Sequence, residues 1–337
     1  MIALFAVVAL ASCGNKPQGD SKQTSSAKPQ IKIDGSSTVE PISEAVAEDY
    51  KKGNDSVDIT VGTSGTGGGF KKFGRNETDI SDASRPISRT EDSICKAAGI
   101  EYIELPIAYD GLAIVVNKDN TWLTKITVKE LKKMWEPGAQ DKIKKWSDVN
   151  PAWPKEEIHL FGPGTASGTY DYFTEAVNGK AKASRGDYTA SEDDNVLVQG
   201  ISGDKFALGY FGLAYYEQNK DKLKVVPVDD EKKENGDGGI VPSQETVKNG
   251  TYQPLSRPLF IYINKKASAK SEVKAFVDFY LANGAKLATE VGYVALPDAA
   301  NQLVKTRWTA GTTGSLFLGK DNVGMKMEDL LKTEQAK

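Results

Sequence analysis

Hydroxyl side chains recur at one kind of place in this chain, and together they could hold an oxyanion. Ser167-Gly168-Thr169 lies within Gly162–Phe173, between the strand-like Ile158–Phe161 and a helical stretch with Tyr170, Phe173 and Val177 on one face. The first amides of a helix lack intrahelical acceptors, and the helix dipole adds partial positive charge there. A glycine lets a ligand approach the backbone, and flanking hydroxyls add donors. Such a turn suits an anion, although Ser167 or Thr169 can equally serve as an ordinary helix cap. The same chemistry returns at Ser37-Thr38 in Asp34–Pro41, at Thr63-Ser64 in the glycine-rich Gly62–Gly69, and at Ser84-Arg85 in Asp79–Pro86. Gly62–Gly69 is not a P-loop, because no Gly-Lys-Ser/Thr ending follows. Arg85 brings a permanently charged planar fork that suits phosphate oxygens or, alternatively, a surface carboxylate. A single turn of this type reads as a cap. Four of them, each after a strand and before a helix, point to one shared oxyanion, since open α/β sheets bind ligands there.

No reactive group accompanies these donors. His159 is the single histidine, and no nucleophile–base pair or metal-ligand cluster is evident, so binding without chemistry and without a cofactor is the economical reading. The 337 residues suffice for two domains. A net charge of −3 gives no global field for nucleic acid, so an anion site must be local.

The elements that must position the donors are strand–loop–helix units, which imply an α/β protein. Ile31–Ile33, Val57–Val61, Glu101–Tyr109, Gly111–Val116 and Pro258–Ile263 read as strands. Ser37/Glu40, Ser88/Glu91 and Thr127/Glu130 have capping-box spacing. Val273–Leu281 forms an amphipathic helix that Asn283-Gly284 should close. The acidic run Asp229–Gly239 does not follow the calcium-loop pattern and reads as a solvated loop.

The N-terminus carries an address. Residues 1–12 hold a short apolar run typical of an export signal and too short to span a bilayer. Leu10-Ala-Ser-Cys13 resembles a lipobox, which makes Cys13 the lipidated residue and a membrane anchor. Residues 13–30 are polar and read as a flexible tether. The expected location is extracytoplasmic. Cys95 then remains as the internal thiol, read as a small buried residue.

Taken together, Gly35–Val39, Gly62–Phe70, Asp82–Ile87 and Gly162–Phe173, with Ala207–Phe211 and Pro254–Phe260, resemble the phosphate-binding lipoproteins of bacterial phosphate ABC importers. These belong to the type II periplasmic-binding-protein superfamily, and the likeness spans about residues 31 to 310. The resemblance implies an α/β fold of two lobes, with two open mixed sheets and helices, joined by two crossing strands near Asp110–Val115 and Arg257–Ile261. Residues 31–110 plus 258–325 would form lobe one, 111–257 lobe two, and 326–337 a tail. It further implies a monomer that closes over inorganic phosphate and delivers it to a membrane permease. Ser37, Thr38, Ser64, Ser84, Ser167, Gly168 and Thr169 would be the donors, with Arg85 supplying the charge. The family pattern has an aspartate at the Arg85 position and an arginine at the Pro163 position. That aspartate accepts the proton of hydrogen phosphate. Asp82, Asp34 and Asp171 are candidates to replace it, and the sequence does not choose among them. Another tetrahedral oxyanion (sulfate, molybdate or arsenate) or a sensing role would fit the same fold. A phosphoryl-transfer enzyme would need a nucleophile or metal.

Overall fold

Tyr102–Asn117 forms one 16-residue strand with every residue buried, and the architecture is arranged about it. The sequence reads as two strands there because Pro106 and Asp110-Gly111 interrupt the apolar run. Both interruptions are accommodated. Pro106 falls at the register shift opposite Leu259/Phe260, where a missing N–H is tolerated, and Asp110 faces Arg257.

The structure, a computed structural model, describes residues 28–165, 167–191 and 193–318. The export signal, Cys13, most of the tether, and residues 319–337 lie outside the described residues. The chain opens with β1 (Gln30–Gly35), α1 (Glu40–Lys51), β2 (Asp58–Thr63), α2 (Thr66–Phe73), β3 (Ile80–Ala83), α3 (Arg89–Ala97) and the long strand β4. It continues through β5 (Ile126–Thr127), α4 (Val128–Trp135), α5 (Trp146–Val149), β6 (His159–Pro163), α6 (Gly168–Asn178), β7 (Thr189–Ser191) and α7 (Asp194–Ser202). Next are β8 (Ala207–Gly212), α8 (Leu213–Asn219), β9 (Leu223–Val225), β10 (Val228–Asp229) and α9 (Gln244–Lys248). It returns through β11 (Ser256–Asn264), α10 (Ser271–Glu290), β12 (Val294–Ala295) and α11 (Asp298–Ala310).

The strands follow the order β2-β1-β3-β11-β4-β8-β6-β7, with β9 and β12 also pairing with β4. The first part of β4 pairs with β11 over Tyr102–Gly111, and the rest pairs with β8 and β9 over Leu112–Asn117. The sheets of the two lobes therefore merge along β4. Asp110 of β4 and Arg257 of β11 stand directly opposite each other in the β4–β11 pairing. Each lobe has its own aromatic centre. Tyr50 of α1 meets Phe276 of α10 edge-on at 5.4 Å in the first, and Phe173 stacks on Tyr210 at 3.7 Å in the second. Burial of such side chains contributes about 1.5–3 kcal/mol each.

The helix starts matter most for the site. Ser88–Glu91 and Thr127–Glu130 form complete capping boxes, as their spacing predicts. Ser37–Glu40 does not. α1 starts at Glu40 after Val39 with no side-chain cap, and the Ser36 carbonyl takes the Val39 and Glu40 amides instead. Ser37 is thereby released from the capping role that its spacing suggested. α10 also runs past Asn283-Gly284 to Glu290, because Leu287 and Ala288 still find core to bury in. Gly35 cannot be replaced without movement: a Cβ there would lie 2.1 Å from the Asp82 carbonyl oxygen, which accepts the Ser36 N–H at 3.0 Å.

Candidate anion-binding cleft

Between the lobes lies a cleft of about 990 Å³. Ser37, Thr38, Ser64, Ser84 and Arg85 line it from the first lobe, and Ser167, Gly168 and Thr169 from the second. The turns after β1, β2 and β3 face the start of α6, so parallel strand order brings distant hydroxyls to one edge. The approach is close. A Cβ on Gly168 would stand 2.8 Å from Thr38 Oγ1, 3.2 Å from Ser84 Oγ and 3.7 Å from Ser36 Oγ.

The hydroxyls differ in what already holds them. Ser167 Oγ accepts the Thr169 amide at 3.1 Å, so it is a true helix cap as well as a cleft residue. Ser64 Oγ donates to Asp34. Ser84 Oγ pairs with Thr66 Oγ1 at 3.1 Å, and Thr66 Oγ1 also receives the Ser84 amide at 3.2 Å. Thr66 opens α2 after Gly65 with no side-chain cap, and Gly67 and Gly68 follow it along the cleft wall. Those first-turn amides are donors of the kind an anion uses.

Arg85 lines the cleft, but its fork is engaged. Nη1 and Nη2 donate to the two Glu91 oxygens, each at 2.8 Å, and Nη1 also donates to the Pro86 carbonyl at 3.0 Å. Burial pushes the Glu91 carboxyl up, but the Arg85 and Ser88 bonds prevail and hold it below its ordinary range. Arg85, expected to supply the charge, thus lines the cleft with its fork paired to Glu91. A second arginine is buried at the crossing. Arg257, 4% exposed, donates from Nε at 3.2 Å and Nη2 at 3.0 Å to Asp110 Oδ2. It also donates from Nη1 to the Gly168 carbonyl at 3.0 Å and from Nη2 to Thr38 Oγ1 at 3.2 Å. One guanidinium thus touches both lobes and the strand that joins them.

Arg257 lies 4.6 Å above the Tyr172 ring, whose hydroxyl is 2.5 Å from the carbonyl oxygens of both Pro254 and Ser256. Burial raises the Tyr172 pKa, so it stays a donor at neutral pH. Tyr172→Phe is expected to cost about 1–2 kcal/mol of stability, the value of buried hydrogen bonds. Urea unfolding checks this, and an unchanged midpoint would show the hydroxyl to be unimportant.

The three aspartates singled out from sequence part company. Asp171 lines the cleft. Burial raises its pKa against the pull of Lys182, Arg257 and Arg85, and its Oδ1 is buried with no hydrogen-bond partner among the described residues. Asp34 is held by Ser64 Oγ and by Lys72 Nζ at 2.5 Å, behind the cleft wall. Asp82 is fully buried and turned away from the cleft toward Ser43 and Tyr280. β3 alternates its faces, so Asp82 points away from the α2 side, against which Ser81 packs.

A profile of the PBP superfamily domain matches residues 20–283. Protein SphX of Synechococcus elongatus is 49% identical over 93% of this chain and 91% of its own length. The phosphate-binding protein PstS of Staphylococcus saprophyticus is 43% identical over 88% of each chain. The chain belongs to the phosphate-binding family of the PBP superfamily. Among solved structures, a "possible phosphate binding protein" from Planctomyces limnophilus is 48% identical, with a TM-score of 0.72 over 84% of this chain and 98% of that one. An ABC-type phosphate transport receptor from Vibrio cholerae, at 22% identity, shares the fold with a TM-score of 0.63 over 79% of this chain and 99% of that one.

Four cleft residues of this family member escaped the sequence reading: Ser36, Thr66, Asp110 and Arg257. For Arg257 a signal exists, since Ser256-Arg257-Pro258 repeats Ser84-Arg85-Pro86. For Asp110 the signal is a charge next to glycine inside a mostly apolar strand, which calls for a partner. Among the described residues no group of three or more His, Cys, Asp or Glu could hold a metal, and no helix is long and apolar enough to cross a membrane. Cys95 is buried, and burial lifts its thiol to about 11, where it is unreactive.

Proposed function

We propose that this protein captures inorganic phosphate between its lobes outside the cytoplasm and passes it to the membrane permease of an ABC importer. One observation carries the reading: the Thr38, Ser84 and Ser36 hydroxyls come within a few ångströms of Gly168 at the start of α6, with the buried Arg257 bonded to both Thr38 and Gly168. Each charge-assisted bond to a buried oxyanion is worth about 1.5–3 kcal/mol. The donors are Ser37, Thr38, Ser64, Ser84, Ser167, Gly168 and Thr169, joined here by Ser36, Thr66 and the α2 amides. The positive charge comes from Arg257 and, through its Glu91-balanced fork, Arg85. Residues 31–110 plus 258–325 and residues 111–257 are the bodies that close, as a monomer held to the membrane by lipid at Cys13.

Asp171 is the carboxylate assigned to accept the proton of hydrogen phosphate. Its location in the cleft and its unpartnered, buried Oδ1 support that role over Asp82 and Asp34. Such an acceptor would repel fully deprotonated sulfate and so distinguish the two anions. Calorimetric titration of the body lacking residues 1–27 with phosphate and with sulfate tests the assignment. Phosphate should bind and sulfate should bind far more weakly; equal or tighter sulfate binding would overturn the phosphate reading. Asp171→Asn should narrow the gap between the anions.

A further inference from the structure

The turn that carries Ser36, Ser37 and Thr38 rests on an acid that does not line the cleft. Asp82 lies on β3 two residues before Ser84, and its backbone carbonyl accepts the Ser36 amide at 3.0 Å. Its side chain is fully buried beside the Ser43 hydroxyl of α1, which pairs with Tyr280 Oη of α10 at 3.2 Å. Neither Asp82 carboxyl oxygen has a hydrogen-bond partner of normal geometry among the described residues. The titratable groups facing it are Asp34 of β1, Glu40 of α1 and Tyr280 of α10. Both carboxylates oppose its ionisation, and the Lys72 ammonium is paired with Asp34.

An ionised carboxylate in that place would be a buried charge without a counter-ion, which proteins avoid by keeping the proton. We propose that Asp82 is a protonated brace beneath the anion-binding turns, and that loss of its proton weakens oxyanion binding through the Ser36–Asp82 and Ser84 backbone. The proposal rests on the oxyanion reading above. Geometry supplies two routes. The new negative charge would sit directly behind the turns that hold the anion, and its demand for solvation would pull on the strand that supports Ser36 and Ser84.

Burial, with Asp34 and Glu40 nearby, lifts the Asp82 carboxyl to about 7. Its value in an unfolded chain is near 3.8, so the folded state holds the extra proton between those limits. Stability therefore falls as pH rises from about 4 toward 7 and levels off above.

Asp82→Asn keeps the shape without the titration. Phosphate affinity would be measured for both proteins by calorimetry from pH 6 to 8.5. The titration of phosphate itself cancels in the ratio, because both proteins meet the same ligand. The expected result is that the variant binds as well as the wild type at pH 6 and about tenfold more tightly at pH 8.5, the change that a one-unit linked pKa shift gives. Parallel profiles would overturn the proposal. If Asp82→Asn does not fold, infrared difference spectra of the wild type decide: a protonated carboxyl band should be present at pH 6 and lost by pH 8.5, and its absence at pH 6 would refute the brace. A wild type that binds no phosphate at any pH would refute the functional reading instead. The ligand-free unfolding profiles of the two proteins would then still decide whether Asp82 is held protonated, through a pH slope in the wild type that the variant lacks.

Discussion

Arg257→Ala should reduce phosphate affinity by at least about 100-fold, or roughly 3 kcal/mol, the largest loss of any single change in the cleft. Three physical reasons combine. The guanidinium is 4% exposed, so its charge is little screened by solvent. It orders Thr38 Oγ1 and the Gly168 carbonyl, one on each side of the cleft, so its loss loosens donors from both lobes. It is also the partner of Asp110, itself 5% exposed, whose pKa burial raises against the opposing pull of Arg257. Removing one member of a buried pair leaves the other uncompensated, at a typical cost of 3–5 kcal/mol. The variant should therefore melt earlier as well as bind worse. Arg257→Lys retains a charge but not the fork, and it should fall between. Arg85→Ala should lose less affinity, because Glu91 already takes both arms of that fork and the side chain is 36% exposed. Calorimetry on the three variants gives the order. Equal losses at Arg85 and Arg257 would show that the buried arginine has no special part.

Gly168→Ala should separate folding from closure. The residue begins α6, where alanine is more favourable than glycine by up to about 1 kcal/mol, so thermal stability should hold or rise. The added Cβ would nevertheless stand 2.8 Å from Thr38 Oγ1 and 3.2 Å from Ser84 Oγ, atoms of the opposite lobe. Both neighbours are buried hydroxyls in bonded turns, with Thr38 Oγ1 tied to Arg257 and Ser84 Oγ to Thr66. Relief must therefore come from parting the lobes. Phosphate affinity should fall by about 10- to 100-fold, corresponding to one or two lost hydrogen bonds to a charged group. Small-angle scattering with saturating phosphate should report a more extended body than the wild type. A variant that closes and binds normally would show that the contact at Gly168 yields without cost.

Much of this was readable along the chain, where the governing interactions are local. Ser88–Glu91 and Thr127–Glu130 close capping boxes because both partners lie within one helical turn. The apolar run of β4 shows a buried strand, and the four hydroxyl turns between strands and helices line one cleft. Local readings failed where a distant group competed. Ser37 lost its capping role to the Ser36 carbonyl in a turn held by Asp82, and α10 outran Asn283-Gly284 because Leu287 and Ala288 had core to fill.

The sequence by itself determined which donors exist, since residue type sets them: hydroxyls, glycine amides and arginine without a nucleophile–base pair. Only the tertiary structure decided which of them act together. Glu91 lies six residues from Arg85 and balances it, whereas Asp110 and Arg257 are 147 residues apart and meet across a strand pair. Asp82, Asp34 and Asp171 are the same residue type in similar sequence settings. Burial turned the first into the core, Lys72 and Ser64 occupied the second, and the third was left facing the cleft. Charge compensation and desolvation depend on what packs against a group from elsewhere in the chain, and that is fixed by the fold.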